Sequence, residues 1–424
     1  MGLVDARADL LAARIGGLAM PAGLAGPRAA ALARLSAMGL PGRRDEYWRY
    51  SDPTALNDAA ATPAAVFDDS DEAPVFGQID RLKLVFVDGV FDPAASDPLD
   101  LAGVRIERLA SLPEGHWAED VYGRLEEAGQ KPVARPFAAL NSAFARDGVA
   151  IHVTGKATKP VSLIYLRKSD SSDAILHHCI RLDPGAELTL LENGPGAARL
   201  NTVLEVDLSA GARFSHIRTQ GRDHDRRAVT HVFALLASKA RFKSFTLTAN
   251  GLLTRNEVVI DLKGDDAVAH IAGAAVGDGR FHQDDTVFVT HDALRCESRQ
   301  VFKKVLKNGA VGVFQGKILV KPGAQKTDGY QISQALLLDG DSQFLAKPEL
   351  EIYADDVKCS HGSTSGAIDE TALFYLRSRG VPQVQAQALL VLAFLAESIG
   401  EIDDEAVADD IRARLEAWLH RHDR

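Results

Sequence analysis

A cysteine and a histidine two residues apart, Cys359 and His361, are the side chains of this sequence best suited to chemistry. They lie near the end of the segment PELEIYADDVKCSHG, from Pro348 to Gly362, whose composition predicts an extended strand. Alternation in a strand sends both side chains to one face, and two extended residues rise about 6.6 Å. Thiolate and neutral imidazole are good ligands for zinc, iron and iron–sulfur centres. The spacing therefore predicts a metal centre or cluster that contacts both residues.

Two ligands make only half of such a site, because structural zinc takes about four ligands and the usual iron–sulfur cluster about four thiolates. The alternative is structural: Cys359 is a small core residue and His361 a polar residue in the turn that follows. His177 and Cys179 form a second pair with the same alternation. The sequence offers that pair no companions, and buried cysteines are commonly inert, so the second pair is the weaker candidate.

Two glycine motifs resemble nucleotide-binding loops without matching them. The stretch from Gly312 to Ile318 has three residues between its glycines where a phosphate loop has four, and ends in isoleucine where serine or threonine would hold magnesium. We interpret it as a strand with a glycine turn. Gly194-Pro-Gly196 lacks the third glycine of the dinucleotide fingerprint. The sequence also contains no His-Glu-x-x-His and no Gly-x-Ser-x-Gly motif.

Composition predicts a globular chain whose partners are proteins or small solutes. The 424 residues are 46% hydrophobic and 25% charged, with a formal net charge of −10. This acidity argues against nucleic acid and anionic lipid as partners. The longest apolar run, near residues 388–396, is about half of a membrane span, so we expect no membrane association. Three widely spaced cysteines indicate a reducing compartment, most simply the cytoplasm.

The middle of the chain predicts a β-solenoid. From Val149 onward, short alternating segments are separated by turns with almost no helical period. Small residues open successive segments at near-constant intervals, which a sandwich would not require. These residues are Ala186, Ala212, Ala240 and Ala267; Ala293 continues the spacing, but polar Arg295 breaks the pattern there. Stacked coils that cannot bury their faces alone produce such a repeat. We therefore predict three regions: a helical and mixed region at 1–148, a solenoid at 149–362 and a helical domain at 363–424.

The N-terminal region predicts two short helices between residues 5 and 38, a strand, turn and strand across 82–92, and helices near 118–127 and 132–148. The segment LPGRRDEYWRY, from Leu40 to Tyr50, is dense in arginines and aromatics. It is either a docking surface or a helix start whose Trp48 covers the end of the body, and aromatics are most often packing residues.

Three helices are predicted after the solenoid. Asp369 can cap the first, which ends at Gly380, Pro382 opens the second, and Asp403 or Asp404 caps the third. The second is apolar over most of its circumference, so we expect it to be buried among its neighbours or against another chain.

Long motifs between Ser298 and Gly380 resemble the SufB/SufD family of iron–sulfur cluster assembly proteins. They are VFKKVLKNGAVGVFQGKILVKPGAQKTDGYQISQALLL, PELEIYADDVKCSHGS and LFYLRSRG. The looser stretches FAALNSAFARDGVAIHV and LPGRRDEYWRY extend the similarity to nearly the whole chain. SufB-like chains carry an acidic residue after the histidine of this motif, whereas glycine stands here, so the sequence is more similar to the SufD type.

This resemblance implies a mainly β fold, a right-handed parallel β-helix flanked by N-terminal and C-terminal helical regions. It implies a non-enzymatic scaffold that pairs with a SufB-like protomer and with SufC-like ATPases. His361 would lie at the interface with the SufB-like protomer and help to hold a transient iron–sulfur cluster, and Cys359 would supplement it. A reduced flavin in the complex and a homodimer of the isolated chain are further expectations.

The same resemblance implies that the ATPases dock on the C-terminal helices. The candidate contact residues are Phe374, Tyr375, Leu376, Arg377 and Arg379. The alternative is that Phe374 and Leu376 pack the helices together while the arginines are solvated. Two other functions compete with the scaffold as a whole. A solenoid carbohydrate-active enzyme would need paired carboxylates, which the repeat does not show at matched positions. In a purely architectural partner, His361 would only pack.

Overall fold

The structure is a computed structural model that describes residues 3–66, 73–101, 103–194, 196–221 and 223–422. The helices are α1 (Leu3–Ile15), α2 (Ala25–Met38), α3 (Thr54–Asn57), α4 (Arg124–Ala128), α5 (Pro136–Phe144), α6 (Glu370–Ser378), α7 (Gln383–Ile399) and α8 (Glu405–Arg421). The strands are β1 (Leu82–Val87), β2 (Val90–Phe91), β3 (Asp100–Leu101), β4 (Val104–Arg108), β5 (Val149–Val153), β6 (Val161–Leu166), β7 (Asp173–Leu182), β8 (Glu187–Asn193), β9 (Arg199–Leu208), β10 (Arg213–Gln220), β11 (Arg227–Leu236), β12 (Arg241–Ala249), β13 (Leu253–Leu262), β14 (Val268–Asp278), β15 (His282–His291), β16 (Glu297–Lys307), β17 (Val311–Val320), β18 (Asp328–Leu337), β19 (Gln343–Ile352) and β20 (Lys358–Gly366).

The strands form a parallel β-solenoid made of two facing sheets, as predicted. The even-numbered strands from β6 to β20 follow one another in the first sheet, and the odd-numbered strands from β5 to β19 do so in the second. Each coil adds one strand to each sheet, so the chain alternates between them. β1 extends the first sheet by pairing in parallel with β6, and β4 extends the second by pairing antiparallel with β5.

The small residues of the repeat open successive strands of the first sheet. Ala186, Ala212, Ala240 and Ala267 are all buried and each immediately precedes a strand, so they stack in register. The predicted continuation at Ala293 is wrong. Glu297 pairs with Val268, so Cys296 takes the stacking position, and the coil before it is longer because β14 is longer than β12. Cys296 is fully buried and therefore fills a place that alanine fills in earlier coils.

The interior becomes more polar toward the last coils, and two glycines make room for this change. Gly312 and Gly316 lie inside β17, so the predicted glycine turn is wrong. A Cβ on Gly316 would lie 2.4 Å from Nε2 of Gln331, and one on Gly312 would lie 2.7 Å from Cδ of Lys304. Both long side chains are buried, and Lys304 reaches Asp285 on the opposite sheet at 2.6 Å. The glycines are thus required because polar side chains cross the core.

The N-terminal segments cover the second sheet, and Trp48 is a packing residue. Its ring is buried, packs edge-on against Phe137 at 5.4 Å and lies 4.2 Å from the Arg255 guanidinium. The strand, turn and strand across 82–92 are confirmed as β1 and β2. The helical run near 118–127 is a 3-10 segment at Trp117–Asp120 followed by α4.

Two of the three C-terminal helices, α7 and α8, pack on the outer face of the first sheet, and α6 packs against α7. Asp369 caps α6 through the backbone N–H groups of Thr371 and Ala372, and Asp404 caps α8, as predicted. The buried face of α7 lies against β14 and β16, whereas Leu389 on its other face is 46% exposed. Among the described residues, no helix is long and apolar enough to cross a membrane.

Candidate functional site

The two ends of the solenoid differ in their edge strands. At the first end each sheet finishes in an antiparallel strand of two residues, β2 or β3. At the last end, called the open end below, β19 pairs with β17 alone and β20 with β18 alone among the described residues, so each of these long strands presents an unpaired edge. The C-terminal helices pack on a face of the first sheet rather than over this end. An unpaired edge is a template for pairing with another chain.

Cys359 and His361 lie on β20, at this open end. The segment from Pro348 to Gly362 is not one strand, because β19 ends at Ile352 and β20 begins at Lys358. The predicted alternation of side chains within residues 358–361 is nevertheless observed. Cys359 pairs with Gly329 and His361 with Gln331, two residues on the row that points into the solenoid, so Cys359 and His361 lie on one face. The alternative that His361 lies in a turn is therefore wrong.

His361 is exposed although it lies on an inward-pointing row. The next residue inward on this row, Gln331, is fully buried, so exposure of His361 results from its place on the last coil. Within the described part of the chain, the imidazole has no hydrogen bond or ion pair. Both ring nitrogens are consequently available to an external group.

Cys359 is half-buried and packs against the last apolar cluster of the interior. Its Sγ lies 3.2 Å from the point where a Cβ on Gly329 would stand, so the glycine leaves room for the thiol. Burial raises the pKa of the Cys359 thiol, and nearby Asp328 adds to this effect while a hydrogen bond from Gly329 opposes it. The thiol is thus not activated in this chain alone, and a metal would have to displace its proton.

His177 and Cys179 do have a companion, which is Glu205. Their ligand atoms lie within 4.8 Å of one another, and all three residues are fully buried. Glu205 pairs with Cys179 in the neighbouring strand, one coil later. Glu205 was not predicted from the sequence, although the near-constant spacing of the repeat places it one coil after Cys179. The three side chains could hold a metal ion.

The hydrogen bonds of this cluster favour a neutral pair over a metal site. Asn141 donates its amide N–H groups to the carbonyls of Leu176 and Asn201, at 2.9 and 3.0 Å, so its oxygen accepts from Nδ1–H of His177. Nε2 of His177 is then an acceptor, 2.8 Å from Oε2 of Glu205. Burial raises the pKa of Glu205 to about 8 and lowers that of His177 to about 3. At neutral pH a protonated Glu205 therefore donates to a neutral His177.

The predicted ATPase contact residues lie on α6 and in the residues just after it. Phe374 and Tyr375 are 73% and 57% exposed, so the alternative that Phe374 packs the helices together is wrong. Leu376 is half-buried, whereas Arg377 and Arg379 are exposed. Arg379 lies 5.1 Å from the centre of the Tyr375 ring, in a cation–π contact that holds the aromatic ring on the surface.

The arginine-rich N-terminal segment reaches the open end, which the sequence did not predict. Tyr47 hydrogen-bonds Glu349, and Glu46 forms an ion pair with Lys347 at 2.5 Å. The Lys347 ammonium also lies 3.8 Å from the centre of the Tyr47 ring. Because Lys347 and Glu349 are on β19, this segment fixes the edge strand of the second sheet.

Sequence comparison with known proteins shows the family of this chain. A model of the SufBD core domain of the SUF system for iron–sulfur cluster assembly matches residues 165–394. The iron–sulfur cluster assembly protein SufD of Escherichia coli is 31% identical over 91% of this chain and 90% of its own length. A SufBD family protein of Synechocystis is 26% identical over 90% of this chain and 87% of its own, and SufD of Bacillus subtilis is 26% identical over 68% of each. The matched core includes β20 and the candidate site, and this chain belongs to the SufBD family of iron–sulfur cluster assembly proteins.

Proposed function

We propose that this chain is a non-catalytic scaffold subunit that pairs through the open end of its solenoid with a SufB-like protomer. The nascent iron–sulfur cluster is its cargo, and His361 holds the cluster or its iron at the interface. A SufC-like ATPase docks on the C-terminal helices α6, α7 and α8 and supplies the ATP hydrolysis. We place the complex in the cytoplasm, in keeping with three free cysteines.

The observation that carries this proposal is an exposed histidine without a partner on an unpaired edge strand. His361 can give one ring nitrogen to iron, and Cys359 can add a thiolate once a metal displaces its proton. The remaining ligands would come from the paired chain. Such divided coordination suits a scaffold, because a cluster fully enclosed by one chain could not be passed on.

The test is cluster loading in the assembled complex. The chain is co-purified anaerobically with its SufB-like and SufC-like partners, and iron, sulfide and the visible spectrum are measured. We compare wild type with His361→Ala and with Ser360→Ala, whose side chain is exposed on the opposite face of the same strand. We expect all three complexes to form and only His361→Ala to lose most of its cluster.

A normal cluster in a correctly assembled His361→Ala complex would assign the chemistry to the partner and leave this chain an architectural role. Loss of cluster in both variants would indicate damage to the edge strand instead. Cys359→Ser, measured in parallel, separates the two candidate ligands.

A further inference from the structure

An arginine-lined cavity of about 310 Å³ lies between the N-terminal helices and the first coils of the solenoid. Arg14 at the end of α1, Arg199 at the start of β9 and Arg146 before β5 line it, together with Asp173 and Ser171. This cavity is at the start of the solenoid, whereas His361 is on the last coil. It is thus separate from the site described above.

Two of these guanidinium groups are buried and share one carboxylate. Arg14 and Arg199 are each only 2% exposed. Arg199 binds Asp173 through two nitrogens, at 3.0 and 2.7 Å, and Nη2 of Arg14 lies 3.0 Å from the same carboxylate. Nη1 of Arg14 is buried without a hydrogen-bond partner. Burial lowers the pKa of Arg14, Asp173 opposes this effect, and Arg199 adds to it.

The third arginine adds a free positive charge at the rim. Arg146 is exposed, and its side chain has no hydrogen bond or ion pair within the described part of the chain. Asp173 is the single carboxylate among the described residues that line the cavity. The C-terminal carbonyls of α1 balance part of the charge of Arg14, since a helix end carries about half a negative charge. Three guanidinium groups still exceed the negative charge around the cavity.

We propose that this cavity binds a phosphate-type oxyanion, either free phosphate or the phosphate group of a small ester. Buried cations are stable when they are paired, and guanidinium groups recognise phosphate oxygens in a planar, two-pronged geometry. Arg146 closes over the anion from the rim, Ser171 offers a hydroxyl donor, and the buried guanidinium of Arg14 adds positive charge to the wall. Arg199 also donates hydrogen bonds to the backbone carbonyls of Asp58 and Ala60, and these bonds hold its guanidinium in the cavity wall without the ligand.

The experiment is calorimetric titration of the full-length chain in chloride buffer with sodium phosphate. Arg146→Ala is the informative variant, because its side chain makes no bond that the fold requires. Arg280→Ala is the matched control, since Arg280 is exposed and equally unpaired but lies away from the cavity. We expect one phosphate per wild-type chain, a loss of affinity of about tenfold or more in Arg146→Ala, and no change in Arg280→Ala.

Ribose 5-phosphate, titrated in parallel, distinguishes the two sources: the tighter ligand identifies whether the site takes the ester or the free ion. Absence of binding by phosphate and by the ester would overturn the proposal. Equal loss in both arginine variants would also overturn it, because binding would then reflect general charge. The outcome is independent of cluster loading at His361.

Discussion

The residue with the clearest consequence for stability is Glu205, whose buried carboxyl group is protonated near neutral pH. Its pKa rises from an ordinary value of 4.5 to about 8 because burial outweighs the backbone N–H groups of Gly123 and Glu126 that bind it. A raised folded pKa means that the folded chain holds the proton more tightly than the unfolded chain. The stabilisation is therefore complete below pH 4.5 and is lost as pH rises toward 8.

His177 acts in the opposite direction, over a lower range. Its pKa falls from 6.5 to about 3 through burial, so its contribution is present above pH 6.5 and is lost as pH falls toward 3. The two effects oppose each other between pH 4.5 and 6.5. Of these two groups, only Glu205 contributes a slope between pH 6.5 and 8, of about 1 kcal/mol per pH unit.

We expect Glu205→Gln to remove this slope. Glutamine can donate an N–H to Nε2 of His177 and accept the N–H of Glu126, but it loses the acceptor for the N–H of Gly123. That loss is the same at both pH values, whereas the titrating proton is removed. Urea unfolding at pH 6.5 and at pH 8 should show that wild type loses about 1 to 2 kcal/mol more than the variant. Parallel losses in the two proteins would mean that Glu205 is ionised throughout this range.

At the scale of elements, strand β17 depends on Gly316. Alanine there would place its Cβ 2.4 Å from Nε2 of Gln331 and 2.8 Å from Cε1 of Phe314, inside a filled core. Overpacking of this kind costs about 1 to 3 kcal/mol, so the urea midpoint of Gly316→Ala should fall measurably. Gly340→Ala is the control, since nothing lies within 4 Å of its Cβ position and the residue is exposed in a turn. An unchanged midpoint in Gly316→Ala would show that the Gln331 amide moves freely.

The α6 surface can be tested by removing its aromatic rings. Phe374→Ala and Tyr375→Ala should weaken capture of a SufC-like ATPase by about tenfold each, because exposed aromatic residues beside arginines are typical anchors of protein interfaces. Pull-down titration against the ATPase measures this effect. Glu416→Ala, an exposed position on α8, should bind as wild type does. Undiminished capture by both aromatic variants would move the docking site elsewhere.

The sequence predicted the elements better than their boundaries, for reasons visible in particular residues. Local signals such as Asp369 and the buried turn alanines act within a few residues, so the caps and the repeat could be found. The glycines of β17 were wrongly predicted to form a turn. Glycine occurs in turns, but it also occurs within strands where a side chain from the opposite sheet needs the space. That partner, Gln331, is close only after the chain has coiled. Glu205 could not be predicted for the same reason, because it lies close to its partners on β7 only after the chain has coiled.

At the scale of the whole molecule, the decisive feature is that the sheets finish in two-residue strands at one end of the solenoid and in the long strands β19 and β20 at the other. No local pattern encodes this difference, since β19 and β20 have ordinary strand sequences. It arises because the chain stops adding coils and the last helices fold back on the first sheet. The N-terminal segment also fixes β19 from a distance of about 300 residues along the chain through Tyr47 and Glu46. The edge strand of the second sheet is thus tied to a segment from the other end of the sequence.

Backbone pairing at this end can be separated from the chemistry of His361. The N–H of Lys358 donates to the carbonyl of Thr327 at 2.8 Å, so the even-numbered residues of β20 face β18. The backbone groups of odd-numbered residues, Ser363 among them, face the free edge. Proline at such a position leaves the existing ladder intact but removes an outward donor.

Ser363→Pro should therefore fold, yet pair with a SufB-like chain at least about tenfold more weakly, because an interrupted edge cannot continue a sheet. Ser363→Ala is the matched control, since both variants lose the 3.0 Å hydrogen bond from Ser333 and only proline loses the N–H. Circular dichroism checks the fold, and sedimentation of the mixed chains measures the pairing. If the proline variant pairs as tightly as the alanine variant, the partner binds elsewhere and the open end of the solenoid is not its docking edge.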